Sequence, residues 1–494
     1  MGNEITALEA IAKALQNPLP DAIRKAFTSP SSATSGLAEY NLEPGARLIF
    51  PFDSPLRNII PRVPAGGGVQ ANWRAITAIN PNAESIGLSE GNRGGLNSYT
   101  EVDSYAKFVE LGLDDYVTWK AERAAQGFQD LDELAVQMLL HSTMEGEEKI
   151  ILGGQSTWGL GTTPTPTVSN TTTGGTIAAG TLLVTAVALT YDGQRLSSVA
   201  AGVKIPYTRT NADGSTDQIY GFTGAPSTAA STTTTTSTST ISGSVAPVNG
   251  AFAYAWFVGA SGAQTLQAIT SINSVLLTAL STGNQNLTAL PTTDTSQNSL
   301  VFDGLITQAY NANSGSYIYA LPTGTPGTGS SLTSTGNGTG GIAEFDTAIE
   351  SFFTNHRLIP TTIWISGADQ KAIKALILAG NTNIAPFMQA ADGTIRAGAV
   401  VTTYRNPIGY GNQYLNLKVH PFLPQGTVLF TTEQLPYQLS NVRQVMRMLL
   451  RRDYYSILWP LRTRKHEYGV YFDGVLQHFF PASMGVLTNI APSA

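Results

Sequence analysis

Apolar and polar positions follow three successive rhythms along this chain. From Val63 they alternate: VPAGGGVQANWRAITAI places Val69, Ala71, Trp73, Ala75 and Thr77 at every second position, which predicts a strand. TEVDSYAKFVELGL alternates again, with Val102, Tyr105 and Phe108 as the expected inward residues. Between them NPNAESIGLSEGNRGGLNSY is polar and glycine-rich, so the two strands read as a long hairpin. A hairpin of this composition has no core of its own and needs a covering surface.

From Asp130 the period becomes helical. In DLDELAVQMLLHSTMEGEEKIILGG, Leu131, Leu134, Ala135, Met138 and Leu139 form one stripe. Asp130, Asp132 and Glu133 suit the positive end of a long helix that stops near Gly153-Gly154. Upstream, Leu8, Ile11, Ala12 and Leu15 predict a short amphipathic helix. Prolines then interrupt residues 18 to 64, leaving isolated anchors such as Phe27, Tyr40, Phe52, Leu56 and Ile59-Ile60 on an arm.

The third rhythm fills residues 162 to 300, where Thr and Ser dominate and only about seven residues are charged. TLLVTAVALTYDGQRLSSV, with a turn at Asp192-Gly193, AFAYAWFVGASG and LQAITSINSVLLTAL read as strands. Closely spaced turns predict a β-sandwich, because strands this apolar would not stay solvated as a linker. Within it, STTTTTSTST (231 to 240) carries only hydroxyls and reads as an exposed strand plus loop, since Thr fits strands. Tyr254 and Trp256 share a face with Phe252 as core, while Tyr220 is a candidate exposed aromatic. After residue 300, IAEFDTAIESFFTNHRLIPTTIWIS gives a helix with Phe345, Ala348, Ile349, Phe352 and Phe353 on one face, then a buried strand. ADQKAIKALIL is a second helix, and strands close the chain, so the class is α+β.

Composition narrows the functions. A net charge of −6 argues against a protein that coats nucleic acid. The absence of cysteine excludes disulfides, thiolate metal sites and cysteine nucleophiles, and fits a reducing cytoplasm. No export signal or membrane span is expected. HEYGV lacks the second zincin histidine, DGTIRAG lacks a P-loop lysine, and no GxSxG is present, so no enzyme, cofactor or metal is expected. Asp114-Asp115 and Glu147-Glu148 read as solvated faces, and the five histidines as surface or satisfied core. Arg443, Arg447, Arg451 and Arg452 fall at a spacing that lines one helix side. Nucleic acid is one partner for such a cluster; ion pairs, including those to other subunits, are the favoured one.

The order of parts resembles the major capsid protein of tailed bacteriophages. VPAGGGVQANWRAI is similar to a rising E-loop strand, the helix from Asp130 to a P-domain spine helix, and EFDTAIESFFTNHRLIPTTIWISGADQKAIKALI to the entry of an A-domain. The likeness spans about 350 residues outside the insert. It implies an N-terminal arm over 1–62, an E-loop over 63–115, a spine-helix region over 116–161 and an A-domain with remaining P-domain strands over 301–494. The 162–300 insert resembles an immunoglobulin- or fibronectin-type module displayed outside.

The function implied is self-assembly into hexamers and pentamers of an icosahedral virion shell, built in the host cytoplasm around double-stranded DNA. Scaffold, portal and decoration proteins are the further partners, and DNA contact is non-specific. Trp73, Arg74, Arg93, Arg443, Arg447, Arg451 and Arg452 are the expected inter-subunit contacts. No lysine lies between Val63 and Ala106, so no E-loop lysine–asparagine crosslink is expected. The arm before Leu48 is too short for a large cleaved scaffold segment. The alternatives are a cellular nanocompartment shell of the same fold and a β-sandwich surface adhesin.

Overall fold

The computed structural model describes residues 49–79, 87–94, 96–126, 129–282, 284–335, 341–379, 387–389, 395–397, 401–411, 413–437, 441–442 and 444–492. The expected helix at Leu8–Leu15 and the anchors Phe27 and Tyr40 lie outside them. Pro51–Thr118 with Asp132–Ala494 forms one compact unit, and Trp119–Leu131 belongs to a second, smaller one.

The larger unit begins with a short helix, α1 (Pro55–Ile59), and a strand, β1 (Arg62–Pro64). β2 (Gln70–Ile79) and β3 (Tyr99–Lys107) pair antiparallel from Gln70↔Lys107 to Ile79↔Tyr99 and, among the described residues, join no other strand. β4 (Val109–Thr118) follows after the single residue Phe108. In the smaller unit α2 runs over Trp119–Ala125. The long helix α3 covers Leu131–Gly153, as its stripe predicted, with Asp132 and Glu133 in its first turn. Its buried residues shift toward the C-terminal half, where Ile151 and Leu152 are fully enclosed.

Among the described residues the Thr-rich region has nine strands, one short α-helix and a 3-10 turn at Leu287–Ala289: β5 (Thr167–Thr171), β6 (Gly180–Leu189), α4 (Tyr191–Leu196), β7 (Tyr207–Thr210), β8 (Thr216–Ile219), β9 (Ala230–Thr234), β10 (Thr240–Ser244), β11 (Ala253–Gly259), β12 (Thr265–Thr270) and β13 (Ser274–Leu277). They form sheets of order β13-β10-β5 and β12-β11-β6-β9, with β7 and β8 as a separate hairpin. Trp256, Ile241, Val184 and Val275 fill one core, and Val187, Ala255, Phe257 and Leu266 a second. β6 and β11 are therefore covered on both faces, which explains their unbroken apolar runs.

The turn expected at Asp192-Gly193 is the helix α4 instead. Thr190 Oγ1 caps it by accepting from Gly193 N–H at 2.9 Å. A Cβ on Gly193 would meet Phe222 O at 1.9 Å, so glycine here answers a close approach rather than a hairpin turn. STTTTTSTST is the end of β9 and the loop into β10. Its hydroxyls are not all exposed: Thr232 and Thr234 are buried, and Thr234 Oγ1 donates to Ala178 O at 2.7 Å. Thr236 and Thr238 both donate to Thr172 O, so the loop is held by its own side chains.

The chain resumes with α5 (Leu305–Tyr310), β14 (Tyr317–Ala320), α6 (Ala343–His356), β15 (Thr362–Ile365), α7 (Gly367–Ala379), β16 (Phe387–Gln389), β17 (Ile395–Ala397), β18 (Thr403–Arg405), β19 (Tyr414–Val419), β20 (Val428–Thr431), β21 (Met446–Leu458), β22 (Lys465–His478) and β23 (Gly485–Thr488). One sheet has the order β14-β23-β20-β15-β19-β18, and another β1-β21-β22-β4; β16 and β17 pair alone. α6 buries Phe345, Ala348, Ile349 and Phe352, as predicted, while Phe353, expected on the same face, is half-buried. The fold is α+β.

The Thr-rich region is built into the body. Tyr191 and Phe252 lie in one core with Leu152, Phe302, Leu305, Met448 and Phe472. Tyr191 OH donates to Phe422 O at 3.0 Å, and Asn273 N–H donates to Asn489 Oδ1 at 2.8 Å.

Candidate functional site

The β2–β3 hairpin leaves several large apolar side chains uncovered. Alternation gives it one half-buried face, Ala71, Trp73 and Ala75, and one exposed face, Asn72, Arg74 and Ile76. Ile76, Leu96, Tyr99 and Tyr105 are 61–94% exposed, and Val69 and Leu88 similarly open. Of the trio expected inward, Phe108 packs against the body, Val102 pairs with Ala75 on the half-buried face and is 36% exposed, and Tyr105 pairs with Asn72 on the exposed face. Residues three apart on a regular strand point to opposite faces, so Val102 and Tyr105 cannot both turn inward.

Hydrogen bonds close the hairpin at its root and tie it to the body. Phe108 N–H donates to Val69 O at 3.1 Å. Trp73 Nε1 donates to His478 O at 3.2 Å. Arg451 donates from Nη1 to Gly68 O at 3.0 Å, and from Nε and Nη2 to Asp473 Oδ2 at 2.6 and 2.5 Å, with its guanidinium 5.2 Å from the Phe108 ring centroid. Strand register explains this reach. Leu450 pairs with Gly474 and Arg452 with Asp473, which leaves Arg451 as the extra residue of a bulge that turns its side chain out of the ladder.

The expected arginine cluster is therefore not a helix side. Arg447, Arg451 and Arg452 lie on β21, and Arg443 lies outside the described residues. Arg447 Nε donates to Gln477 Oε1 and its guanidinium covers Phe479. Arg452 is exposed with its guanidinium 3.6 Å from the Tyr455 ring centroid. Met446, Met448, Leu449 and Leu450 beside them are buried, and burial along the strand prevails over the charge spacing. Arg74 is exposed and bridges across the hairpin to Asp103 at 2.8 Å and Glu101 at 3.7 Å; Arg93 is exposed near the tip.

Glu147 and Glu148 are buried, contrary to the solvated face expected of them. Glu148 accepts from Leu56 N–H at 2.9 Å and Arg57 N–H at 2.7 Å, capping α1, and pairs with His420 Nε2 at 2.7 Å. Glu147 accepts from Arg57 Nε at 2.9 Å, Arg62 Nη1 at 2.6 Å and the Tyr454 hydroxyl. Burial and the Glu147 charge push the Tyr454 phenol well up. For Arg62, burial opposes the charged form, but Asp453 and Glu147 outweigh it and raise the guanidinium further. Two adjacent carboxylates thus clasp the incoming segment to α3. Neither partner set is near them in sequence, so no local pattern announces the clasp. Asp114 and Asp115 are exposed, as expected.

No family model and no curated protein matches the chain. Among solved structures it is similar to the capsid of a native GTA particle, at 7% identity and a TM-score of 0.45 over 94% of this chain and 100% of that one. It is also similar to the capsid of the cyanophage P-SCSP1u, at 9% identity and a TM-score of 0.40 over 97% and 100%. A third is the holo-SrpI encapsulin complex from Synechococcus elongatus PCC 7942, at 9% identity and a TM-score of 0.37 over 96% of each chain.

Proposed function

We propose that this chain is a structural shell protein of the tailed-phage major capsid type. It assembles with copies of itself into hexamers and pentamers of a closed shell around double-stranded DNA, and the 162–300 region faces outward. The observation that carries this reading is the β2–β3 hairpin, with Ile76, Leu96, Tyr99 and Tyr105 left to solvent. Exposed apolar side chains on one ribbon, with Arg74, Asp103 and Glu101 set between Ile76 and Tyr105, mark a mixed surface to be covered. A second copy is the covering that needs no other partner, and repeated head-to-tail contact closes rings.

In this reading the segment before β1 is the arm, α3 the spine helix, and α6, β15 and α7 the start of the A-domain. Arg74, Arg93 and Arg452, exposed in the single chain, serve at contacts between copies; Arg451 serves within one copy. The negative net charge fits DNA that is enclosed and touched non-specifically rather than coated. The shell is the chain's location, with portal, scaffold and decoration proteins as its further partners.

Electron cryomicroscopy of the native particle tests this. A closed shell of hexamers and pentamers with one outward knob per copy and nuclease-protected DNA inside is the expected result. A closed shell without DNA moves the reading to a compartment, and a monomer or small oligomer from native material overturns it.

A further inference from the structure

Three adjacent glycines, Gly66, Gly67 and Gly68, precede β2 and are exposed. Gly68 has a φ of +120°, a conformation that other residues rarely adopt. Gly66 and Gly67 are different. Neither has a positive φ, and a Cβ on either would meet nothing within 4 Å. Neither space nor conformation calls for glycine there, and each costs the fold chain entropy. What they supply is backbone freedom, at the point where β2 leaves the body. On the returning side only Phe108 separates β3 from β4.

From these positions we infer that Gly66–Gly68 and Phe108 form a pivot for the β2–β3 hairpin, and that Arg451 is the latch holding it in one orientation. The guanidinium touches both sides of the pivot, donating to Gly68 O and covering the Phe108 ring. It is fixed by Asp473, whose side chain is only 10% exposed. Asp473 Oδ1 is buried without a hydrogen-bond partner among the described residues, so Arg451 is the cation this carboxylate depends on. The bulge places Arg451 at the pivot, and a regular ladder would not. Trp73, through His478 O, supports the same orientation from β2. The inference concerns one chain and does not depend on the shell reading.

The chain has no cysteine, so two can be introduced cleanly as Ser98→Cys on the hairpin and Glu350→Cys on α6. Spin labels there, with the labelled chain diluted into unlabelled chain, report the hairpin's orientation as an electron–electron distance distribution. One narrow distribution is expected for the parent. Arg451→Ala should broaden it with cooperative melting retained, and adding Gly66→Ala and Gly67→Ala should narrow it again by stiffening the pivot. Arg451→Lys keeps the charge beside Asp473 but loses the fork to Gly68 O, so it should broaden the distribution too, and it serves if the alanine variant does not fold. A distribution as narrow in Arg451→Ala or Arg451→Lys as in the parent overturns the latch. A broad distribution in the parent, or no narrowing by the two alanines, overturns the pivot.

Discussion

Glu148 Oε1 lies 2.7 Å from His420 Nε2, and neither side chain touches solvent. The imidazole's other nitrogen, Nδ1, accepts from Phe422 N–H at 3.1 Å, so the ring's proton is on Nε2 and points at the carboxylate. With the Leu56 and Arg57 amides on the same group, one side chain joins α1, α3 and the turn after β19. Glu148→Gln keeps one acceptor oxygen but turns an NH₂ toward groups that donate. It should lower unfolding stability by about 1–3 kcal/mol, the cost of a buried donor left unmet. Glu148→Ala removes every acceptor at once and should cost more. Urea titration of the full chain measures both, and an unchanged midpoint in the alanine variant would show that the clasp holds nothing.

Acid should weaken the fold through His478. Burial lowers its pKa from 6.5 to about 3. Nδ1 accepts from Phe480 N–H at 3.1 Å, while Nε2 is buried without a partner among the described residues. The folded pKa lies below the unfolded one, so the unfolded chain binds the extra proton. This contribution is complete above the unfolded pKa and is lost as pH falls toward the folded value. Asp369 acts in the opposite sense: burial raises its carboxyl, so its protonation favours the folded state as pH falls. His478→Asn keeps an acceptor for Phe480 N–H and removes the titration. Its stability should fall less steeply than the parent's across that acid range, by denaturant melts at successive pH values. Parallel curves would exclude His478 as the cause.

The Thr-rich region should not be separable from the body. A Cβ on Gly153 would meet the Tyr191 ring at 2.4 Å, so the end of α3 and the start of α4 are in direct contact. Tyr191 is 1% exposed, and its ring meets Phe252 edge-on at 5.8 Å. Tyr191→Ala should therefore cost about 3–5 kcal/mol, as for a large core aromatic. Replacing residues 162–300 by a short linker should yield no soluble, cooperatively melting chain. Recovery of such a chain would show that the region is an add-on with its own core and nothing shared.

How much of this was readable from sequence depends on the range of the forces. α3 and α6 announced themselves because one face is apolar at helical period. β6 and β11 did so because burial on both faces leaves continuous apolar runs. The arginines mislead because the spacing of Arg447 and Arg451 fits a helix, while Met446, Met448, Leu449 and Leu450 are buried on a strand. Apolar burial outweighs the placement of charges that remain partly exposed. Glu147 and Glu148 misled because their partners Arg57, Arg62, His420 and Tyr454 come from distant parts of the chain. Val102 and Tyr105 mislead because they lie three apart on a strand and point to opposite faces, Val102 with Ala75 on the half-buried one and Tyr105 with Asn72 on the exposed one.

Assembly should fail when charge is placed on that hairpin, and folding should not. Leu96 is 94% exposed and Tyr105 69% exposed, so neither contributes to the core of the single chain. Leu96→Asp with Tyr105→Asp should change unfolding stability by no more than about 0.5 kcal/mol, the range for exposed positions away from special contacts. Against a neighbouring copy the same carboxylates would be desolvated without a partner, which costs several kcal/mol for each ion. Sedimentation velocity should then show small species where the parent gives shells. Normal shells from the doubly substituted chain would remove the hairpin as the assembly surface, and with it the observation on which the proposed function rests.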